Sequence, residues 1–96
     1  MINIKQKHLD ELKGIFERYC PDAEIWAYGS RVNSSSHDGS DLDLTVKDFG
    51  NSEKDLSELK QLLSDSNIPF LIDINEFCRL PEYMQESIKK SYERIF

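Results

Sequence analysis

Apolar residues recur along the chain with two different periods, which predict alternating helices and strands. A spacing of three to four residues predicts a helix over roughly residues 4–19, which Pro21 ends. The capping-box-like segment Ser52–Asp55 introduces a second helix that ends near residues 65–67. Pro81 fits the first position of a third helix. The positions expected to face the core in these helices are Leu9, Leu12, Ile15, Phe16, Tyr19, Leu56, Leu59, Leu62, Leu63, Tyr83, Met84 and Ile88.

Three other segments are typical of strands, because they are β-branched, aromatic or strictly alternating. The first is Glu24–Tyr28, which precedes a glycine. The second is Asp41–Lys47, where apolar and polar residues alternate over the whole length. The third is Pro69–Asn75. Residues 93–96 either continue the last helix or form a short edge strand.

The order of these elements predicts an α+β fold with helices flanking a small mixed β-sheet. Between the first two strands we expect one helical turn at Ser30–Asn33 and a polar loop at Ser34–Ser40. The order of the strands within the sheet stays open at this stage. With 96 residues and neither repeat nor linker, the chain is expected to form a single domain over residues 1–96.

Charge and composition narrow the function classes. Eighteen acidic residues against 12 basic ones give a net charge of -6, whereas a general nucleic-acid binder needs a basic patch. Direct nucleic-acid binding is therefore not expected. No apolar run approaches the length of a membrane span and the start has no signal-peptide core, so we expect a cytoplasmic protein without membrane contact. Cys20 and Cys78, far apart in the sequence, are expected to be reduced thiols.

The candidate chemistry lies between Gly29 and Asp43, where a Gly-Ser pair is followed after ten residues by two aspartates one residue apart. Asp41 and Asp43 occupy positions i and i+2 of a predicted strand, so they face the same side about 6.6 Å apart along the chain. Asp73 lies on the polar face of the third strand. It would join Asp41 and Asp43 if the second and third strands are neighbours in the sheet. From alternation alone, an Asp73 that merely ends a strand in solvent is equally consistent.

Three neighbouring carboxylates would repel one another unless cations lie between them, and Mg²⁺ is a hard cation that prefers such oxygen ligands. The upstream Gly29-Ser30 turn offers backbone N–H groups and a hydroxyl to a phosphate. Together these features indicate metal-assisted phosphoryl or nucleotidyl transfer. Among the other candidates, His37 is interpreted as a solvated loop residue, and Trp26 and Tyr28 as packing residues rather than stacking platforms for a base.

This ordered combination resembles the nucleotidyltransferases of the polymerase-beta superfamily, whose signature is Gly-Ser, a spacer and Asp-x-Asp. The matching residues are Gly29-Ser30-Arg31, Ser40-Asp41-Leu42-Asp43-Leu44 and the later Asp73. Length and helix order are similar to the minimal nucleotidyltransferase group over roughly residues 5–90. The resemblance implies a polymerase-beta-like nucleotidyltransferase fold. It also implies that Asp41, Asp43 and Asp73 are catalytic and bind metal, with Asp73 as general base, and that Gly29, Ser30, Arg31 and Ser40 bind the nucleotide.

The same resemblance implies Mg²⁺-dependent transfer of a nucleoside monophosphate, AMP from ATP, to a hydroxyl group, with two ions. Many members of the group are antitoxins paired with a HEPN-domain ribonuclease toxin, and some transfer AMP to a toxin tyrosine. A HEPN-type toxin is therefore the expected protein partner and acceptor, and the acidic charge favours a protein acceptor over RNA. The spacer departs from the family, because Val32, Asn33 and Ser34–Ser36 leave Arg31 as the only cation of the loop.

Two alternatives remain open at this stage. The first is a binding module of the same fold that neutralises its partner by occlusion without transfer. The second is a small-molecule nucleotidyltransferase of the aminoglycoside-modifying type, against which the short chain argues.

Overall fold

The computed structural model describes residues 4–29, 32, 41–50 and 53–96. These residues confirm the expected α+β class, with helices packed on a small mixed sheet. None of the helices in this part of the chain has the length and apolar character that crossing a bilayer requires. In chain order the elements are α1 (Gln6–Tyr19), β1 (Glu24–Tyr28), β2 (Leu42–Asp48), α2 (Leu56–Ser64), β3 (Ile72–Glu76), a 3₁₀ turn (Phe77–Arg79), α3 (Glu82–Lys90) and β4 (Tyr92–Arg94).

The strand order that the sequence left open is β3-β2-β1-β4. β1 pairs antiparallel with β2 on one side and with β4 on the other. β2 and β3 are parallel, and α2 makes the crossover that two neighbouring parallel strands require. The end of the chain therefore forms a short edge strand rather than extending α3. This order places β2, which carries the Asp-x-Asp segment, between β1 and β3.

The main core lies between one face of the sheet and the helices α1 and α2. The inward positions alternate along each strand, since successive side chains of a strand point to opposite faces. Cys20 is buried in this core and Cys78 is exposed, and both are free thiols, as predicted. The buried members of this core are Leu12, Ile15, Phe16, Cys20, Ala23, Ile25, Ala27, Leu42, Leu44, Val46, Leu59, Leu63, Ile74 and Ile95.

A smaller apolar cluster of Trp26, Phe77 and Ile88 covers part of the opposite face of the sheet. The Trp26 ring stacks on Tyr92 with centroids 3.9 Å apart and meets Phe77 edge-on at 5.4 Å. Its indole N–H donates to a Glu24 carboxylate oxygen at 2.6 Å. Trp26 is therefore a packing residue, as predicted.

Several predicted boundaries shift in the structure. β2 begins at Leu42, so Asp41 precedes the strand, and β3 begins at Ile72 rather than Pro69. Proline has no N–H to donate to a sheet ladder, which explains the later start. α2 is capped by Asp55, whose carboxylate accepts from the Ser57 N–H at 2.8 Å, rather than by a capping box that starts at Ser52.

Two predicted core positions are wrong. Leu62 is 42% exposed and Tyr83 is 74% exposed. α2 and α3 are short helices that touch the sheet through a narrow stripe, so only Leu59 and Leu63 of α2 and Ile88 of α3 are buried. Periodicity alone did not reveal how narrow these stripes are. Except for Val32, the turn and loop predicted between β1 and β2 lie outside the described residues.

The difference between Leu59 and Leu62 can be tested on one helix. Leu59→Ala removes a fully buried side chain and is expected to lower the free energy of unfolding by about 2–5 kcal/mol. Leu62→Ala is the matched control at an exposed position and should change it by less than about 0.5 kcal/mol. Urea unfolding followed by circular dichroism measures both, and equal effects would contradict the burial pattern.

Candidate active site

Polar side chains from three adjacent strands meet on the sheet face opposite the main core. In the antiparallel β1–β2 register Tyr28 lies across from Asp43, and in the parallel β2–β3 register Asp43 lies across from Asp73. Neighbouring strands are about 4.8 Å apart, so the two carboxylates are close. The strand order thus meets the condition set by the sequence, because β2 and β3 are indeed neighbours. Asp73 is exposed, whereas Asp43 is partly buried.

Asp41 lies two residues before Asp43, just outside β2, and is exposed. Its charge still reaches Asp43 and contributes to the raised pKa of that residue. Within the described ranges, no three His, Cys, Asp or Glu side chains converge into a group that could hold a metal ion. The sheet register therefore fixes the pair Asp43–Asp73, and Asp41 flanks this pair without joining it in a three-carboxylate cluster.

The electrostatics of Asp43 disfavour its charged form. Burial raises the pKa of this carboxyl, and the negative charges of Asp73 and Asp41 raise it further. A partly buried carboxylate between two others is stabilised by a cation, because a positive charge offsets both burial and repulsion. The site is thus built as an acceptor for positive charge.

Gly29 directly follows β1, and two features of the backbone at this position favour a glycine. Its φ angle is +81°, a conformation that favours glycine. A Cβ at this position would also lie 2.5 Å from an Asp43 carboxylate oxygen. The Val32 N–H donates to the Gly29 carbonyl at 3.1 Å. The glycine of the Gly-Ser pair therefore lets the backbone pass against the Asp43 carboxylate.

Tyr28 and Asn75 form a polar pair beside the carboxylates. The Asn75 side-chain amide donates to the Tyr28 hydroxyl at 3.0 Å. Burial raises the pKa of Tyr28 despite this hydrogen bond, and the charges of Asp43 and Asp73 add to the increase. Tyr28 is therefore a neutral phenol at physiological pH. The side-chain oxygen of Asn75, Oδ1, is buried, and no hydrogen-bond partner for it is found among the described residues.

The donor set of the site fits magnesium in its chemistry. The pair of Asp43 and Asp73 supplies the hard anionic oxygens that Mg²⁺ prefers, and Asp41 lies two residues before Asp43. Mg²⁺ commonly needs only one or two carboxylates, with substrate phosphates completing the shell. Burial and the charges of Asp73 and Asp41 raise the pKa of Asp43, so a positive charge at this position would stabilise its carboxylate. A divalent cation held by these residues would supply that charge.

A cleft of about 240 Å³ lies beside the carboxylates, between the end of β1 and α3. We refer to it as the α3 cleft. Tyr28 and Gly29 line it from β1, and Tyr83 also borders it. Met84, Ser87 and Ile88 line it from α3, and Ser91, which caps the end of this helix, lines it as well.

The structure accounts for only part of the predicted site. It places Gly29, Asp43 and Asp73 together with Asp41 beside them, whereas Ser30, Arg31 and Ser40 lie outside the described residues. Sequence reasoning missed Asn75, which follows Asp73 by two positions on the same face of β3 and could have been found by that spacing. It also missed the α3 cleft, for which the sequence carried no signal.

Comparisons with known proteins identify relatives of the whole described region. A family model for the central palm domain of mitochondrial-like poly(A) RNA polymerases matches residues 1–92. The chain is similar to a protein of Haemophilus influenzae named "Probable protein adenylyltransferase MntA". The two are 33% identical over 96 residues, which cover 95% of this chain and 81% of the relative.

A solved structure shows the same fold. It is described as "Crystal structure of the toxin-antitoxin with AMP-PNP" and superposes with a TM-score of 0.72. The match covers 92% of this chain and 72% of the other, at 16% sequence identity. This likeness establishes the fold and confirms the architecture expected from the sequence.

Gly29→Ala is expected to abolish most nucleotidyl transfer, because the new Cβ displaces the Asp43 carboxylate and the positive φ becomes strained. We expect a loss of at least about tenfold, which corresponds to about 1.4 kcal/mol of barrier. Gly50→Ala is the control for strain outside the site, since Gly50 also has a positive φ of 73° and follows the opposite end of β2. A Cβ there would meet the backbone of Asp22, so this variant is expected to lose stability without displacing Asp43. Activity is measured below the unfolding temperature of each variant. An equal loss of activity in both variants would show that backbone strain, and not displacement of the Asp43 carboxylate, causes the effect.

Asp43→Asn is expected to stabilise the metal-free protein at pH 7. Because the folded-state pKa of Asp43 lies above the ordinary value of 3.8, ionisation costs free energy in the folded state only. The cost is absent below about pH 3.8, grows between that value and the folded-state pKa, and is constant above it. The gain in the variant, on the order of 1 kcal/mol or less, should therefore disappear in acid.

Urea unfolding in EDTA between pH 3 and pH 7.5 measures this difference. The control is Asp22→Asn, which removes an exposed charge near the opposite end of β1. A variant Asp43→Asn that is less stable than the wild type at pH 7 would contradict the electrostatic interpretation of the site.

Proposed function

The chain belongs to the polymerase-beta-like nucleotidyltransferases, in the family of the mitochondrial-like poly(A) RNA polymerase central palm domain, and from this premise we propose its reaction. The proposed reaction moves AMP from ATP to a hydroxyl group of a protein, with Mg²⁺ as the cofactor. The observation that carries the proposal is the register of β2 and β3, which sets Asp43 against Asp73 next to the open backbone of Gly29.

The relatives support the choice of nucleotide and acceptor. The Haemophilus influenzae relative is named a probable protein adenylyltransferase, which favours AMP as the group transferred and a protein as the acceptor. The structural neighbour is a toxin–antitoxin with an ATP analogue, which favours a toxin as the partner. We propose that this chain is the antitoxin and that the toxin is of the HEPN ribonuclease type, as the resemblance of the sequence motifs implies.

The transfer is an in-line displacement at the α-phosphorus of ATP. The acceptor oxygen forms a bond to this phosphorus, the bond between the phosphorus and the bridging oxygen of the β-phosphate breaks, and pyrophosphate leaves with the electron pair. The proton of the acceptor hydroxyl passes to the carboxylate of Asp73. Asp73 is suited to this role because it is exposed and stands at the edge strand, where an acceptor can approach it.

The proposed ligands for magnesium are Asp41, Asp43 and Asp73. When bound, the metal lowers the pKa of the attacking hydroxyl and neutralises charge on the phosphates. Gly29, Ser30, Arg31 and Ser40 are proposed to hold the nucleotide phosphates. Asp43 is next to both Asp41 and Asp73. Its replacement by a neutral residue is therefore expected to impair both cation binding and transfer.

The proposal is tested with purified protein, Mg²⁺, a candidate toxin or a cell lysate, and ATP labelled at the α-phosphate. Wild-type protein should transfer the label to a discrete protein band, and γ-labelled ATP should leave that band unlabelled. Asp41→Asn/Asp43→Asn should lower the transfer by at least about a hundredfold, since it removes two charged groups from the reacting centre. EDTA should have the same effect.

Asp22→Asn/Asp65→Asn is the matched control, because it removes two exposed charges away from the site and should leave the rate unchanged. Mass spectrometry of the labelled band then identifies the acceptor residue. Neutralisation of a bound toxin that persists in Asp41→Asn/Asp43→Asn, without any label in the wild type, would instead identify a module that acts by occlusion.

A further inference from the structure

We propose that the α3 cleft is the nucleobase subsite, which takes the uncharged purine ring of the nucleotide. This inference rests on the proposed function and deepens it, because the chemistry above uses only the phosphates of ATP. The argument comes from the position of the α3 cleft, its size and shape, and the character of its lining.

Gly29 is the residue that brings the α3 cleft next to the carboxylate pair. This residue lines the α3 cleft and also lies so close to Asp43 that a Cβ would approach the carboxylate to 2.5 Å. Gly29 has no side chain that could stand between the α3 cleft and Asp43. A nucleotide whose phosphates lie at the Gly29 turn therefore has the α3 cleft directly available for the rest of the molecule.

The dimensions of the α3 cleft suit a single ring system. Its volume of about 240 Å³ is below the range of about 300–1,000 Å³ that drug-sized ligands occupy. Ser87 lies on α3, and Ser91 is the residue that caps the C-terminal end of this helix. Both side chains are small, and the space that they leave is part of the α3 cleft. A folded protein segment would need more room than this.

The lining matches a neutral, planar heterocycle. Tyr28 and Tyr83 supply aromatic surface and Met84 a polarisable thioether, and both kinds of group make favourable contacts with a planar ring. The hydroxyls of Ser87 and Ser91 supply hydrogen-bonding groups for its polar edge. No charged side chain is among the described residues that line the α3 cleft, and this lining favours an uncharged group there.

Tyr83 gives the most specific sign of a ligand. It borders the α3 cleft and is 74% exposed, which makes it the most exposed of the large hydrophobic side chains in the described part of the chain. Bases stack readily on such an aromatic side chain, and the stacking of one base contributes about 1–3 kcal/mol. A base seated in the α3 cleft would cover this ring.

The acceptor protein is the competing occupant, and the geometry disfavours it. The proposed proton acceptor, Asp73, lies on β3, whereas the α3 cleft opens beside Gly29 on β1. β2 stands between these two strands in the sheet. The acceptor hydroxyl is therefore expected from the β3 side and the nucleoside from the β1 side.

The first test compares two magnesium-bound ligands that differ by the nucleoside. One is α,β-methylene-ATP, which cannot release pyrophosphate, and the other is inorganic tripolyphosphate. Ser87→Leu fills the α3 cleft, and we expect it to weaken binding of the nucleotide analogue about tenfold, while the affinity for tripolyphosphate stays within about twofold. Isothermal titration calorimetry measures both affinities.

Glu86→Leu is the matched control, since it places the same side chain at the adjacent exposed position of α3, outside the α3 cleft. It should change neither affinity. Tyr83→Ala should weaken only the nucleotide analogue, by about tenfold, through loss of stacking. Both substitutions in the test lie at exposed positions, so the fold is expected to tolerate them.

A second measurement follows ligand binding to the wild-type protein by NMR. The chain has two methionines, and Met84→Leu identifies the methyl signal of Met84 in the NMR spectrum. The ring current of a base in the α3 cleft should shift this signal when the nucleotide analogue binds. Tripolyphosphate should leave it in place.

Three results would overturn the inference. If Ser87→Leu leaves the affinity for the analogue unchanged but raises the KM for the acceptor protein, the α3 cleft belongs to the acceptor. If it weakens both ligands equally, the α3 cleft does not distinguish the nucleoside. If the wild type binds neither ligand, the proposed function fails, and the inference that rests on it fails too.

Discussion

The parallel pairing of β2 and β3 is the constraint on which the candidate site depends. It places Asp43 directly across from Asp73, and β1 places Tyr28 on the other side of Asp43. Burial raises the pKa of Asp43, and the neighbouring Asp73 charge raises it further, because holding two carboxylates together is unfavourable without a cation. The apolar side chains on the reverse face of the same strands, such as Leu42 and Ile74, are buried in the main core and help to hold the strands in this register.

The two faces of the sheet therefore have separate tasks. One face buries most of the apolar side chains under α1 and α2, while the other combines the small Trp26–Phe77–Ile88 cluster with the polar site. α3 is shared between these tasks, because Ile88 belongs to the apolar cluster and also lines the α3 cleft. A change on the outer face of α3 can thus alter the cleft while the main core stays intact.

Gly29 connects the backbone geometry to the chemistry. Its left-handed conformation turns the chain away from β1, and its missing side chain leaves room for the Asp43 carboxylate. The same residue opens the α3 cleft towards the carboxylate pair. In the proposed reaction, the phosphates and the base of one nucleotide lie on the two sides of this glycine. The glycine of the Gly-Ser motif thus has a steric role, which the sequence motif by itself does not explain.

The sequence by itself determined the element types, the mixed α+β class and the carboxylates of the candidate site. It did so because alternation along Leu42–Val46 and helical spacing along Leu12–Phe16 are local properties of the chain. Strand order, the exposure of Leu62 and Tyr83, and the pairing of Tyr28 with Asn75 were decided only by the tertiary structure. These features depend on contacts between residues far apart in sequence, and no local periodicity encodes which strands become neighbours or how wide a buried helix stripe will be.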